Sequence, residues 1–222
     1  MKVITQNTNF ANVVMSEIHK DKFTNWYHPR GKVGGGAGPG DFDHGRMKFL
    51  NRNLNYFYIE NMISLALKDN YDYNPNYKNT LGICNELRND LDEHGPFGRM
   101  CVWKLPPKGF LLEHVDNWEY HRQITRYILC VGTQEKSDVM IKINKTPIDV
   151  VQGLLFQFHP STELHEFVNY TDKEWYFLGF DYWNLEKLSK ISKEKNIDVN
   201  TLVTYNSGFG GFKSMCKFMS KE

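Results

Sequence analysis

Eight short apolar segments follow one another between residues 99 and 183: "RMCVWKL", "FLLEHV", "ITRYILCVG", "DVMIKIN", "PIDVV", "LLFQFH", "LHEFVNY" and "EWYFLGFDYW". Each is too short for a typical helix. Most are separated by turn-forming residues, namely Pro106-Pro107-Lys108-Gly109, Gly132, Asn144-Lys145 and Gly153. Short apolar runs punctuated in this way predict β-strands, and many of them at regular spacing predict a sandwich or a barrel. This block limits the chain to a mainly β fold with flanking helices.

What surrounds the block reads differently. The first third is irregular, and "GKVGGGAGPGDFDHG" (31–45) is too rich in glycine for the interior of a helix or strand. It lacks the Gly-Lys-Ser/Thr ending of a phosphate loop and is expected to be a mobile loop. Helical spacing of apolar residues predicts helices over 56–70 (Ile59, Met62, Ile63, Ala66, Leu67) and 79–95 (Ile83, Cys84, Leu87, Leu91). A further surface helix is predicted in "NLEKLSKISKEKN", with Leu185, Leu188 and Ile191 on its inner face. The chain therefore divides into an N-terminal loop and helical region (1–98), a β core (99–183) and a C-terminal helix and tail (184–222), read together as one domain.

A net charge of +1 gives no electrostatic reason to expect nucleic acid or a membrane surface as partner. There is no apolar run of transmembrane length, and "MKVITQNTNFANVV" lacks the apolar core of a signal peptide. Cys84, Cys101, Cys130 and Cys216 are scattered without metal-type pair spacing, so reduced structural thiols in a cytoplasmic protein are expected.

The chemistry concentrates in "HVDNWEYHR" (114–122), a charged stretch between two apolar ones. Residues two apart on a strand share a face, so His114 and Asp116 point the same way. A third metal ligand must come from elsewhere. His165 in "STELHEFVN" is the first candidate; His159, beside a proline, is the second. Two histidines and a carboxylate on one face of an ion leave three positions open, an arrangement suited to non-haem Fe(II). The competing reading is a solvated turn that happens to contain a histidine. His121 lies too close in sequence to be an easy third ligand and reads as a supporting or surface group. His19, His28, His44 and His94 lie outside the β block.

Residues 99–183 resemble the aspartyl/asparaginyl β-hydroxylase group of 2-oxoglutarate-dependent oxygenases. The matching stretches are "LPPKGFLLEHVDN", "GLLFQFHPSTELHEFVNYTDKEW" and "YFLGFDYW". In that family a Pro-Gly turn leads to the first ligand histidine, and a Gly-x-x-x-x-Phe strand leads through an acidic turn to His-Glu-x-x-Asn. The resemblance implies a double-stranded β-helix, a cupin-like jelly roll of eight strands. It further implies Fe(II) held at the open end by His114, Asp116 and His165, with 2-oxoglutarate as co-substrate. The family's co-substrate arginine, downstream of the distal histidine, has no counterpart here, where Trp175 stands. Arg126 is expected to bind the distal carboxylate of 2-oxoglutarate instead, with Lys173 and Arg122 as alternatives. The expected activity is hydroxylation of an unactivated C–H bond in an amino acid, a peptide or protein side chain, or another small substrate. Two other readings remain open: a cupin-like dioxygenase or isomerase that does not use 2-oxoglutarate, and a non-catalytic jelly-roll binding module.

Overall fold

The computed structural model describes residues 1–20, 55–60, 77–91, 97–105, 107–116, 119–132, 138–196 and 198. In chain order the elements are β1 (Lys2–Gln6), α1 (Thr8–Lys20), β2 (Asn55–Glu60), α2 (Lys78–Asp90), β3 (Phe97–Leu105), β4 (Phe110–His114) and the short α3 (Glu119–Arg122). Then come β5 (Ile124–Cys130), β6 (Val139–Ile143), β7 (Thr146–Ile148), β8 (Leu154–Phe158), β9 (His165–Asn169), β10 (Trp175–Trp183) and α4 (Leu185–Lys195).

The strands form two antiparallel sheets, one ordered β1-β8-β5-β10-β3-β2 and the other β4-β9-β6-β7. From β3 onward the chain alternates between them, except at the hairpin β6–β7. This is the double-stranded β-helix, and its eight strands are the eight apolar segments of the sequence. The β6–β7 hairpin turns at Asn144 and Lys145, both with positive φ (51° and 67°), the conformation a two-residue hairpin requires.

The central strands of the larger sheet, β8, β5 and β10, are buried on both faces. Ile128, Cys130, Leu154, Phe156, Phe158, Trp175 and Phe177 face the second sheet and fill the barrel. Tyr127, Leu129, Leu155, Leu178, Phe180 and Tyr182 face the other way, onto Phe10, Val14 and Ile18 of α1 and Leu81 and Cys84 of α2. Glu17 of α1 is buried and accepts bonds from the main-chain N–H groups of Asn79 (3.1 Å) and Thr80 (3.0 Å), satisfying donors at the start of α2. A carboxylate placed there gains up to about 2 kcal/mol from the helix dipole. The Tyr182 hydroxyl donates to the Cys84 carbonyl at 2.6 Å, fastening α2 to β10.

Two expectations need correction. The N-terminal third is not wholly irregular: β1 pairs with β8, and α1 packs on the larger sheet. Residues 55–60 are not the start of a helix but a strand paired with β3. Tyr56, Phe57, Tyr58 and Ile59 are strand-favouring residues, and an available edge outweighs helical spacing. The rest of that segment, the glycine-rich stretch 31–45 and the C-terminal tail beyond 198 lie outside the described residues. Among the described residues, no helix is long and apolar enough to cross a membrane.

Candidate metal centre

β4 and β9 are neighbours in the smaller sheet, and their register sets His114 directly opposite His165. The two imidazoles meet with ring centroids 4.3 Å apart. Asp116 lies just past the end of β4, where its main-chain N–H donates to the Pro160 carbonyl at 2.8 Å. That bond carries the carboxylate back over the two rings. Asp116 Oδ1 stands 3.4 Å from His114 Nε2 and 3.8 Å from His165 Nε2.

The three side chains each offer one ligand atom, and these atoms lie within 4.8 Å of one another. Three donors at right angles about one ion, each roughly 2.1 Å from it, would be about 3.0 Å apart. The carboxylate oxygen stands 3.4 and 3.8 Å from the two imidazole nitrogens, within a small side-chain adjustment of that spacing. The donor set therefore fits a divalent first-row metal.

The protonation states also fit. His165 Nδ1 lies 3.0 Å from the Glu163 carbonyl, a partner that only an N–H on Nδ1 can satisfy, so the Nε2 lone pair faces the cluster. Burial, and then the neighbouring His114, push the His165 pKa down to about 4, so the ring is neutral at physiological pH. For Asp116, burial works in the opposite direction and raises the pKa. His121, the hydrogen bond to His114, His165 and Arg126 outweigh it and hold the carboxyl well below its ordinary range. His165 thus presents a neutral nitrogen and Asp116 an anionic oxygen, the forms a metal needs.

The other oxygen of Asp116 faces different company. Arg126 donates to Oδ2 at 2.8 Å, and His121 Nδ1 lies 3.5 Å from the same atom. Arg126 also grips Asp181 with two parallel bonds, Nε to Oδ1 at 2.7 Å and a terminal nitrogen to Oδ2 at 3.0 Å. Arg126 and Asp181 are cross-strand partners on β5 and β10, and both are almost fully buried.

The remaining sequence candidates separate clearly. Arg126 points inside the barrel. Lys173 and Arg122 are exposed, Lys173 in the turn at the far end of β9 from His165. His159 is exposed and stays out of the cluster, whereas His165 is buried within it. His19 is exposed on α1, while His28, His44 and His94 lie outside the described residues. Asn169, the last residue of the family-like His-Glu-x-x-Asn run, organises a turn: its amide donates to the carbonyls of Lys173 (2.7 Å) and Leu105 (3.3 Å) and accepts from Thr171 N–H (3.0 Å).

Two groups at the site were missed or undervalued in the sequence. The single turn of α3 folds His121 back onto Asp116, and a five-residue spacing spanning a helical turn was the available signal. Asp181 was missed altogether. A lone carboxylate in the apolar strand "WYFLGFDYW" is itself a signal, because a buried acid requires a partner.

No protein-family model matches the chain, and no curated protein matches it in sequence. Among solved structures, a prolyl-4-hydroxylase from Pseudomonas putida is similar, with a TM-score of 0.51 and 13% identity over 83% of this chain and 94% of that one. An oxidoreductase of the 2OG-Fe(II) oxygenase family from Burkholderia pseudomallei gives a TM-score of 0.44 and 9% identity, covering 63% of this chain and 76% of that one. The cupin domain of Schizosaccharomyces pombe Cnp3 gives 0.33 and 9%, covering 46% and 72%. At these identities, what the prolyl-4-hydroxylase likeness establishes is a shared fold.

Proposed function

We propose that the chain is a mononuclear Fe(II)-dependent oxygenase of the aspartyl/asparaginyl β-hydroxylase type. In this reading it uses 2-oxoglutarate to hydroxylate an unactivated C–H bond of an amino acid, a peptide or protein side chain, or another small molecule. The observation that carries the reading is the convergence of His114, Asp116 and His165 from two paired strands and the loop after one of them. Three protein donors on one face of an ion leave room for a co-substrate and dioxygen together. Bound Fe(II) would supply the redox chemistry that couples decarboxylation of 2-oxoglutarate to oxygen insertion. The overall balance is substrate C–H, 2-oxoglutarate and dioxygen giving substrate C–OH, succinate and carbon dioxide.

The chain's own residues would hold the ion through His114 Nε2, His165 Nε2 and Asp116 Oδ1. Phe158, whose ring lies 5.0 Å from that of His165, shields one side of the cluster from water. The resemblance in "LPPKGFLLEHVDN" and "LHEFVN" supports the same assignment, and the net charge of +1 favours neither nucleic acid nor membrane as partner.

One observation favours a second reading, a cupin-like metal enzyme that does not use 2-oxoglutarate. Arg126, the buried cation expected to anchor that co-substrate, already holds two carboxylates of the protein. Succinate release separates the two. Purified protein with Fe(II), ascorbate and 2-oxoglutarate should form succinate slowly even without added substrate. Metal binding with no succinate above the His165→Ala background would reject the first reading and leave the second.

A further inference from the structure

We infer that Asp181 and Arg126 are a positioning pair for Asp116: they fix the rotation of its carboxylate so that Oδ1 faces the two histidines and Oδ2 is turned away. The inference rests on the metal-centre reading. A carboxylate with one oxygen on a metal can rotate, tilt or bind through both oxygens unless the second oxygen is held. Here Oδ2 receives the Arg126 bond at 2.8 Å and faces His121 Nδ1 at 3.5 Å, whereas Oδ1 faces His114 and His165. The two oxygens of one side chain are thereby assigned different work.

Arg126 is itself held. Its bidentate bond to Asp181 uses a flat fork that matches carboxylate geometry, and it joins directly paired residues of two central strands. The Trp103 ring lies beneath the guanidinium, 5.4 Å from centroid to Cζ. Trp103 occupies that place because Gly179 has no side chain: a Cβ on Gly179 would lie 2.8 Å from the indole. Three strands thus immobilise one arginine, and the arginine immobilises one ligand. A guanidinium already holding two carboxylates is not a vacant anchor for the distal carboxylate of 2-oxoglutarate. Lysine cannot reproduce a flat fork with two parallel bonds, so Arg126→Lys keeps the charge and removes the geometry.

The test is a Co(II) titration of the metal-free full chain, followed by calorimetry and by the visible bands of the bound ion. Wild-type protein should bind one equivalent, and His165→Ala should lose that binding. Equal binding by these two would defeat the metal-centre reading itself. Arg126→Lys should bind about 10 to 100 times more weakly, as is usual when a supporting partner of a ligand is removed, with changed visible bands. Asp181→Asn, which keeps the side chain's shape, should move affinity and spectrum in the same direction. Because Asp181 acts through Arg126, the double variant should be no worse than Arg126→Lys alone. Wild-type affinity and spectrum in both single variants would overturn the inference. Urea unfolding of the metal-free chain reads the pair independently of any metal. Arg126→Lys and Asp116→Asn should shift the midpoint non-additively, and additive shifts would also overturn it.

Discussion

The two ends of the barrel are built on the same strands and are chemically opposite. On β9, His165 stands at one end and Asn169 at the other; on β10, Asp181 and Trp175; on β5, Arg126 and Cys130. One end collects His114, Asp116, His121, Arg126, His165 and Asp181 around a single carboxylate cluster. The other is closed by aromatic packing. Phe167 stacks on Phe177 with centroids 5.1 Å apart, Trp175 leans on Phe177 at 5.0 Å, and Asn169 ties the turn to Leu105. Strand alternation decides which residues face inward, but the end a residue occupies decides its task. The aromatic end stabilises the fold. The polar end holds buried charges that contribute little to stability and are explained by what they can bind.

The largest effect that would test this division is expected at the aromatic end. Trp175→Ala should destabilise the chain by about 3–5 kcal/mol through loss of buried surface and the cavity left behind. Measured by urea unfolding, that loss should leave Co(II) affinity unchanged in the protein that remains folded. A folded variant that no longer binds metal would show that the ends are not independent.

Next comes pH, acting on the polar end. The His165 pKa is about 4 in the folded chain, below the ordinary histidine value, so the unfolded chain binds the additional proton first. Stability of the metal-free chain should be fully present above about pH 6.5 and should fall as pH drops toward 4, by on the order of 3 kcal/mol in total. His165→Gln should flatten that part of the profile. An unchanged slope would mean that another group produces it.

Gly179→Ala probes the boundary between the ends, because the new methyl group would push on the Trp103 ring. Overpacking of this kind should cost about 1–3 kcal/mol in unfolding experiments, with a smaller loss of metal affinity as Trp103 shifts under Arg126. The smallest effect is expected at Lys173, exposed in the turn at the aromatic end. Its carbonyl and N–H bond to the side chains of Asn169 and Thr171, contacts that alanine keeps, so Lys173→Ala should change stability by less than about 0.5 kcal/mol and metal affinity not at all. A large change in the 2-oxoglutarate requirement of that variant would restore Lys173 as the co-substrate anchor.

The same contrast explains what could be read from the sequence. Strands β3 to β10 were legible because turn residues punctuate apolar runs of strand length. His114 and Asp116 stood out through their two-residue spacing, although Asp116 reaches the cluster from the loop after β4 and not from the strand, and His165 stood out through the family-like run that contains it. The inward face of β5 was not, since every residue from Ile124 to Cys130 is buried and both faces are apolar. Only the partners of Arg126, and the helices packed behind Tyr127 and Leu129, distinguish the barrel side from the outer side. β1 was missed because it is an edge strand with four of its five residues exposed, which leaves almost no alternation to detect. In α1 the signal was present, with Phe10, Val14 and Ile18 at helical spacing, but it lay beside a glycine-rich stretch that made the whole region look irregular. His121 depends on recognising the single helical turn of α3, and Asp181 on a cross-strand partner, Arg126, that no local pattern identifies.

The most direct measurement is a crystal structure of the Fe(II)- or Co(II)-loaded protein with the metal located by its anomalous scattering. The account predicts one ion bound by His114 Nε2, Asp116 Oδ1 and His165 Nε2 at about 2.0–2.2 Å, with Asp116 Oδ2 still on Arg126. A loaded crystal with no peak between those three atoms, or with the ion held by His121 or His159 instead, would contradict it.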